Sequence, residues 1–320
     1  MRKSLMRITF RQLQIFNEVC DLRSYSRAAE EMSLTQPAVS LQIRQLEELI
    51  GQPLFDYVGK KLYMTEAAEA LQLASRDIFG RLENLDMQLS DMLGSLQGQL
   101  KLAIESSAKY FVPHLFAAFK RQHPEVNLQL TVVNRAQAVR RLSDNRDDLV
   151  IMSMVPQDMG LEFLPFLNNP IVAVAPADHP LCERGSLHLQ DLEPYTLLMR
   201  EQGSGTRLAC EEYFKEKRVH FGQTLEVSSN ESQRECAVAG LGVALLTRHA
   251  VSLELATGLL RELPVEELPL YRSWCVVQAK AKRLSPVAHA FLGFIRTERQ
   301  QISALVERFD GQLPGRYASN

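Results

Sequence analysis

The chain reads as a multidomain protein: an N-terminal all-α winged helix-turn-helix, a long linker helix, and a C-terminal α/β module of two lobes. Three observations predict this. Two short helical patterns flank a tight turn between Ser26 and Gly51. Apolar residues recur every seven positions along a long helical stretch that begins at Thr65. From Gly98 onward, strand and helix patterns alternate, as in parallel βα units.

The first region is built from a supporting helix and the paired helices. Thr9 begins the support, with Phe10, Leu13, Phe16 and Val19 on three- and four-residue spacing. Ser26 to Met32 has strong helix propensity, and its small residues Ala28 and Ala29 suit a close helix crossing. Ser33-Leu34 interrupts it, and Leu34 is expected to plug the core between the helices. Thr35 can N-cap the next helix, and Pro37 fits its first turn. Val39, Ile43, Leu46 and Ile50 then form one apolar stripe, and Gly51 ends the helix. Pro37, Ser40, Leu41, Arg44 and Gln45 fall on or near the opposite face, with Gln36 at its N-terminal edge.

A helix of this kind fits the major groove, where its N-terminal residues meet base edges. Gln36 suits adenine, Arg44 guanine or phosphate, Ser40 either, and Pro37 a thymine methyl. Arg27 and Thr35 complete the candidate DNA contacts of this unit. An ordinary helical hairpin with a solvated face fits the same pattern. Two strand patterns, Leu54 to Tyr57 and Lys61 to Met64, surround Val58-Gly59-Lys60 and read as a hairpin. As a wing it would carry Lys60 and Lys61 to phosphate or the minor groove; as a plain surface hairpin its lysines are merely solvated.

Thr65 caps the long helix, with Glu66 and Glu69 in the first turn, where anions suit the dipole. Leu71, Ile78, Leu85 and Met92 form one heptad series; Leu82, Leu89 and Leu96 form the second, with Ser75 in its earlier position. This is an a/d seam, which on a helix between domains pairs with another chain. Packing on its own globular body is the alternative. The seam residues are Leu71, Ile78, Leu82, Leu85, Leu89 and Met92, and Gly94 and Gly98 mark the end and a hinge. The expected bounds are 1–64 for the reading head, 65–97 for the dimerisation helix, 98–310 for the two-lobed module and 311–320 for a tail. Lobe I takes 98–167 and 271–310, lobe II 168–270. The cleft between two such lobes is a natural small-molecule site.

At 320 residues, with 46% hydrophobic and 23% charged residues, the chain has ample core for two or three domains. Its net charge of −2 does not exclude nucleic acid, since a basic patch on one domain suffices. The basic start MRKSLMRITF has no apolar core of a secretion signal, and no run approaches a spanning helix, so a cytoplasmic protein without a membrane partner is expected. Five cysteines without metal-ligand spacing suggest reduced thiols. No nucleophile–base pair, P-loop or metal motif speaks for an enzyme, so no catalytic residue, metal or cofactor is assigned.

Arg27-Ala28-Ala29, Thr35-Gln36-Pro37-Ala38-Val39-Ser40, Gln42-Ile43-Arg44 and Leu46-Glu47 resemble the LysR-type transcriptional regulators. Gly51-Gln52-Pro53-Leu54-Phe55 and Thr65-Glu66-Ala67 continue the match, and the resemblance spans essentially the whole chain. In the second half, Ser107-Ala108-Lys109-Tyr110-Phe111-Val112-Pro113, Asp147-Asp148-Leu149 and Pro165-Phe166-Leu167-Asn168-Asn169-Pro170 look like the CbbR/RbcR/CmpR branch. So do Met199-Arg200-Glu201, Gly203-Ser204-Gly205-Thr206-Arg207 and Ser229-Asn230-Glu231, while the helix at 135–146 departs from it. The resemblance implies a periplasmic-binding-protein-like effector domain that binds small, often phosphorylated, metabolites. It also implies promoter DNA as partner, a homodimer that assembles into a homotetramer, and RNA polymerase as a further partner.

The residues themselves point to an anion in the cleft. Ser106, Ser107 and Lys109 lie where the first strand ends and a helix begins; Ser204 and Thr206 open another helix, and Asn230 a third. Helix N-termini favour anions, although Ser and Thr there also serve simply as caps. Lys109 and Arg200 would add charge, or serve as salt-bridge partners. Asn134 and Met154 complete the candidate set. A redox-sensing regulator, with Cys210 or Cys182 as the thiol, and a transporter's solute-binding module are the competing readings.

Overall fold

The computed structural model describes residues 5–59, 61–91, 96–298 and 302. It divides into two compact units, Met1–Leu85 and Asp86–Asn320.

In the first unit, α1 (Phe10–Leu22) opens on a capping box between Thr9 and Gln12. α2 (Tyr25–Glu31) is capped by Ser24, and α3 (Gln36–Ile50) by Thr35, whose hydroxyl accepts from the Ala38 amide at 3.4 Å. Each such cap contributes about 1 kcal/mol. Between α2 and α3 the chain turns through Ser33 at φ 54°, and Leu34 packs against the core as expected. The stripe Val39, Ile43 and Leu46 is fully buried against Ile15, Phe16 and Ala28. Gly51 at φ 79° closes α3 in the left-handed region. β1 (Phe55–Val58) and β2 (Lys61–Met64) pair antiparallel, Val58 opposite Lys61. The Glu47 carboxylate accepts from the Leu54 amide at 2.7 Å and so ties the hairpin to the end of α3.

α4 (Glu66–Asp91) is capped by Thr65, which accepts from the Ala68 amide. Its first turns do not belong to a free seam. Leu71 packs on the core of its own unit, and Ser75 is buried, accepting from Asn17 Nδ2 at 2.9 Å. Leu71, expected in the dimer seam, is thus partly buried within its own domain. Further along, Ile78, Leu82, Leu85 and Leu89 are 38%, 42%, 51% and 54% exposed, on the 4-3-4 spacing of an a/d stripe. Lys60, Met92, Gly94 and the tail 311–320 lie outside the described residues.

The second unit contains β3 (Gly98–Glu105), α5 (Val112–Gln122), β4 (Val126–Val133), α6 (Arg135–Ser143), β5 (Leu149–Met152) and β6 (Leu161–Pro176). After these come β7 (Leu197–Arg200), α7 (Gly205–Lys217), β8 (Thr224–Val227), α8 (Asn230–Val238) and β9 (Val243–Thr247). The remainder is α9 (Ser252–Thr257), β10 (Leu260–Glu262), β11 (Leu270–Ala279) and α10 (Pro286–Thr297). One sheet runs in the order β4-β3-β5-β11-β6-β9-β7-β8, with β10 beside β6. β3 is parallel to both β4 and β5, and β7 to both β8 and β9. Each lobe is thus centred on one strand, β3 or β7, that runs parallel to both of its neighbours.

β11 pairs antiparallel along its length with the Leu161–Ile171 part of β6, and the two strands join the lobes. Sequence reading finds only Ile171–Ala175 of β6. The half from Leu161 to Pro170 carries Pro165, Asn168, Asn169 and Pro170, which depress strand propensity. A register shift opposite Trp274/Cys275 accommodates it: Trp274 pairs with Leu167, and Cys275 with Pro165. Lobe I buries Trp274, Phe111, Phe119, Phe166 and Phe291 beneath α5 and α10. Lobe II packs the two faces of its strands separately.

Candidate DNA interface and effector cleft

On α3 the predicted base-contacting residues stand clear of the core. Gln36, Pro37 and Arg44 are exposed and Ser40 half-buried. Gln36 Nε2 donates to Ser40 Oγ at 2.8 Å, which aligns the two polar groups one turn apart. Arg44 reaches Glu48 at 3.6 Å with both side chains largely exposed, a contact of little strength that a phosphate or guanine can displace. Arg27 is exposed on α2 and Lys61 at the hairpin tip, whereas Thr35 serves α3 as its cap.

The cleft residues form the opposite picture. Ser106 and Ser107 follow β3 in a 3-10 turn rather than at the start of an α-helix, which begins only at Val112. Ser107 is buried, 3.4 Å from Thr206 Oγ1 and 3.0 Å from Asn230 Nδ2. Arg200, 2% exposed at the end of β7, donates to Asn230 Oδ1, to Ser106 Oγ at 3.3 Å, and to Glu201 at 2.9 and 3.1 Å. Residues of the two lobes therefore bond one another directly. The α6 end joins them: the Ala136 amide donates to the Gly203 carbonyl at 3.0 Å, and Asn134 Nδ2 to Glu201 at 3.4 Å.

The predicted set is brought together, with altered roles. Ser204 caps α7, and Gly203 before it takes φ 90°, a turn suited to glycine. Ser229, not Asn230, caps α8; Asn230 is the first helical residue and fully buried. Lys109 ion-pairs with Glu231 at 2.6 Å, so its salt-bridge alternative holds and it adds no free charge. Asn134 forms a capping box with Gln137. Met154 packs on the lobe II core while its carbonyl accepts from Arg135 Nε at 2.6 Å.

Sequence reading misses Glu105, Ser153 and Glu201. Glu105 is 4% exposed and accepts from Ser153 Oγ at 3.1 Å. Burial pushes its carboxyl up to about 7, against hydrogen bonding from Ser153 and the fields of Arg135 and Arg200. A carboxylate immediately before two cleft serines was the available signal.

Cys210 and Cys182, the thiols considered for redox sensing, are raised rather than lowered in pKa. Burial pushes Cys210 up to about 12 and Cys275 up to about 11, opposite to the lowered values of reactive thiols. Cys182 is likewise raised, chiefly by burial. Among the described residues, no helix is long and apolar enough to cross a membrane, and no group of His, Cys, Asp or Glu could hold a metal ion.

Comparison with known proteins places both units. Residues 10–69 match the bacterial regulatory helix-turn-helix protein model of the lysR family, and residues 93–300 the LysR substrate binding domain. The transcriptional activator CmpR of Synechocystis is 38% identical over 295 residues, covering 92% of this chain and 97% of that protein. The transcriptional regulator CbbR of Rhodospirillum rubrum is 42% identical over 288 residues, covering 89% of this chain and 95% of that one. The Synechocystis CcmR regulatory domain, solved in complex with 2-PG, is 35% identical; the match covers 65% of this chain and all of that one, at a TM-score of 0.62. With an N-terminal helix-turn-helix and a two-lobed, periplasmic-binding-protein-like module, the chain belongs to the LysR-type transcriptional regulators.

Proposed function

We propose that this regulator reads promoter DNA with Gln36, Pro37, Ser40 and Arg44, and adjusts that reading to a small phosphorylated acid held between its lobes. Arg27, Lys60 and Lys61 supply phosphate or groove contacts, and Thr35 fixes the start of the reading helix. The ligand is of the size and charge of 2-phosphoglycolate, the molecule bound by the CcmR regulatory domain.

The observation that carries the ligand reading is the convergence of Ser106, Ser107, Arg200, Thr206 and Asn230 on one point between the lobes. α7 and α8 both begin there, and helix N-termini present free amides and a positive dipole end to an anion. Arg200 supplies the planar donor set suited to phosphate or carboxylate. Ser204, Asn134, Met154 and Lys109 line or brace this point. An anion entering here replaces inter-lobe hydrogen bonds with its own, and changes lobe separation only by its differential affinity for the two arrangements.

The exposed stripe Ile78, Leu82, Leu85 and Leu89 supports pairing of α4 with α4 of a second copy, and a tetramer of two such dimers. The proposed bounds remain 1–64 for the reading head, 65–97 for the dimerisation helix and 98–310 for the effector module. The protein acts in the cytoplasm, where RNA polymerase is its further partner at the promoter.

Thermal unfolding with increasing 2-phosphoglycolate tests the ligand reading. The melting temperature rises with the ratio of ligand to dissociation constant, by about 2.7 kcal/mol of stability at a hundredfold ratio. A flat response up to millimolar ligand would overturn the phosphorylated-acid reading.

A further inference from the structure

We propose that Glu105 determines specificity in the cleft: its carboxylate accepts a hydrogen bond from a hydroxyl of the bound molecule, so the site selects a phosphorylated acid that carries a hydroxyl over the same acid without one. This rests on the phosphorylated-acid reading above and ranks ligands within it: 2-phosphoglycolate, which has no free hydroxyl, belongs to the less favoured group.

Glu105 ends β3 and directly precedes Ser106 and Ser107. It is 4% exposed, and Oε1 has no hydrogen-bond partner while Oε2 accepts from Ser153. A Cβ on Gly205 would lie 2.7 and 2.9 Å from its two oxygens, so the carboxylate rests against the first residue of α7. That helix start is one of the proposed anion-binding ends. A larger residue there would require the carboxylate to shift.

The nearby cations do not satisfy Oε1. Arg200 directs its guanidinium to Asn230, Ser106 and Glu201, and Arg135 Nε to the Met154 carbonyl. Neither forms a hydrogen bond with Glu105; burial raises its carboxyl to about 7, and the two fields only partly offset that rise. At neutral pH the carboxyl is therefore shared between its two forms, and the ionised form, which prevails above pH 7, offers only acceptors. Leaving that form buried without a donor is costly, and a ligand that supplies the donor gains from satisfying it. A fully ionised phosphate or carboxylate supplies acceptors and repels the group. A hydroxyl supplies the missing donor. Sites built to hydrogen-bond a hydroxyl reject the analogue that lacks it far more strongly than apolar pockets distinguish a methylene.

Calorimetric titration of the full chain with 3-phosphoglycerate and with 3-phosphooxypropanoate, which differ only in the hydroxyl, tests this. The wild type is expected to bind the hydroxylated acid about tenfold or more tightly. In Glu105→Val the two affinities converge to within about twofold, while Glu105→Gln, which keeps an acceptor and the side-chain shape, retains part of the preference. Equal binding of both acids by the wild type overturns the proposal, as does an unchanged ratio in Glu105→Val. Those outcomes leave the phosphorylated-acid reading standing. A wild type that binds neither acid and does not bind 2-phosphoglycolate removes that reading, and the role of Glu105 with it.

Discussion

The two functional regions use polar side chains in opposite ways. On α3, Gln36 and Arg44 project from a helix whose stability comes from Val39, Ile43 and Leu46 on its other face. In the cleft, Arg200, Ser107, Thr206 and Asn230 are themselves buried and bonded across the lobes. The reading helix therefore separates binding from folding, residue by residue. The cleft does not: the groups proposed to hold the ligand also hold the lobes together. Substitutions in the first region should change affinity alone, and substitutions in the second should change affinity and stability together.

The largest expected effect is at Arg200. Arg200→Ala removes a buried cation and with it the guanidinium bonds to Glu201 and Asn230, a loss of about 3–5 kcal/mol. Denaturant unfolding reads this directly, and a loss below about 1 kcal/mol would break the contrast between the regions. Next is Glu105, whose folded carboxyl is raised from an ordinary 4.5 to about 7. The sign follows from that rise: its stability contribution is fully present below pH 4.5 and is lost as pH climbs through 7. Glu105→Gln removes the cost of ionisation. It should be the more stable protein at pH 8, by on the order of 3 kcal/mol, with the difference fading toward pH 4.5. Melting curves across that range check it; a variant less stable than wild type at pH 8 would contradict the account. Stability gained this way alongside weakened ligand discrimination is the usual trade at a binding site.

The smallest effect belongs to Lys109. Its ion pair with Glu231 is partly exposed, so Lys109→Met should cost under about 1 kcal/mol in denaturant unfolding. It should also leave 2-phosphoglycolate binding within about twofold by calorimetry, since the charge is already engaged with Glu231. A tenfold loss of ligand affinity would place Lys109 in the anion site after all.

The contrast also explains what could be read from the chain itself. Periodicity exposes α3 and its caps because one face is uniformly apolar and the other is not. The same signal finds the 4-3-4 stripe on α4. It does not reveal that Leu71 and Ser75 serve their own domain, because that depends on Asn17 and the α1 core, more than fifty residues earlier in the chain. In the cleft, strand ends and helix starts give away Ser107, Thr206 and Asn230. Their bonding does not show, because the partners are about a hundred residues apart. β6 was half hidden because Pro165 and Pro170 suppress the local strand signal, while pairing with β11 overrides it. Glu105 was passed over because a charged residue closing an apolar strand ordinarily faces water; here the opposite lobe covers it.

The most direct test of the separation is an anisotropy titration of wild type and Arg44→Ala against a promoter fragment selected by the wild type, at one fixed salt concentration. Arg44→Ala is expected to weaken binding by about 1–3 kcal/mol, roughly 5- to 160-fold. Its folding stability should stay within about 0.5 kcal/mol of wild type, as for an exposed side chain. Unchanged affinity for the fragment would contradict the assignment of α3 as the reading helix.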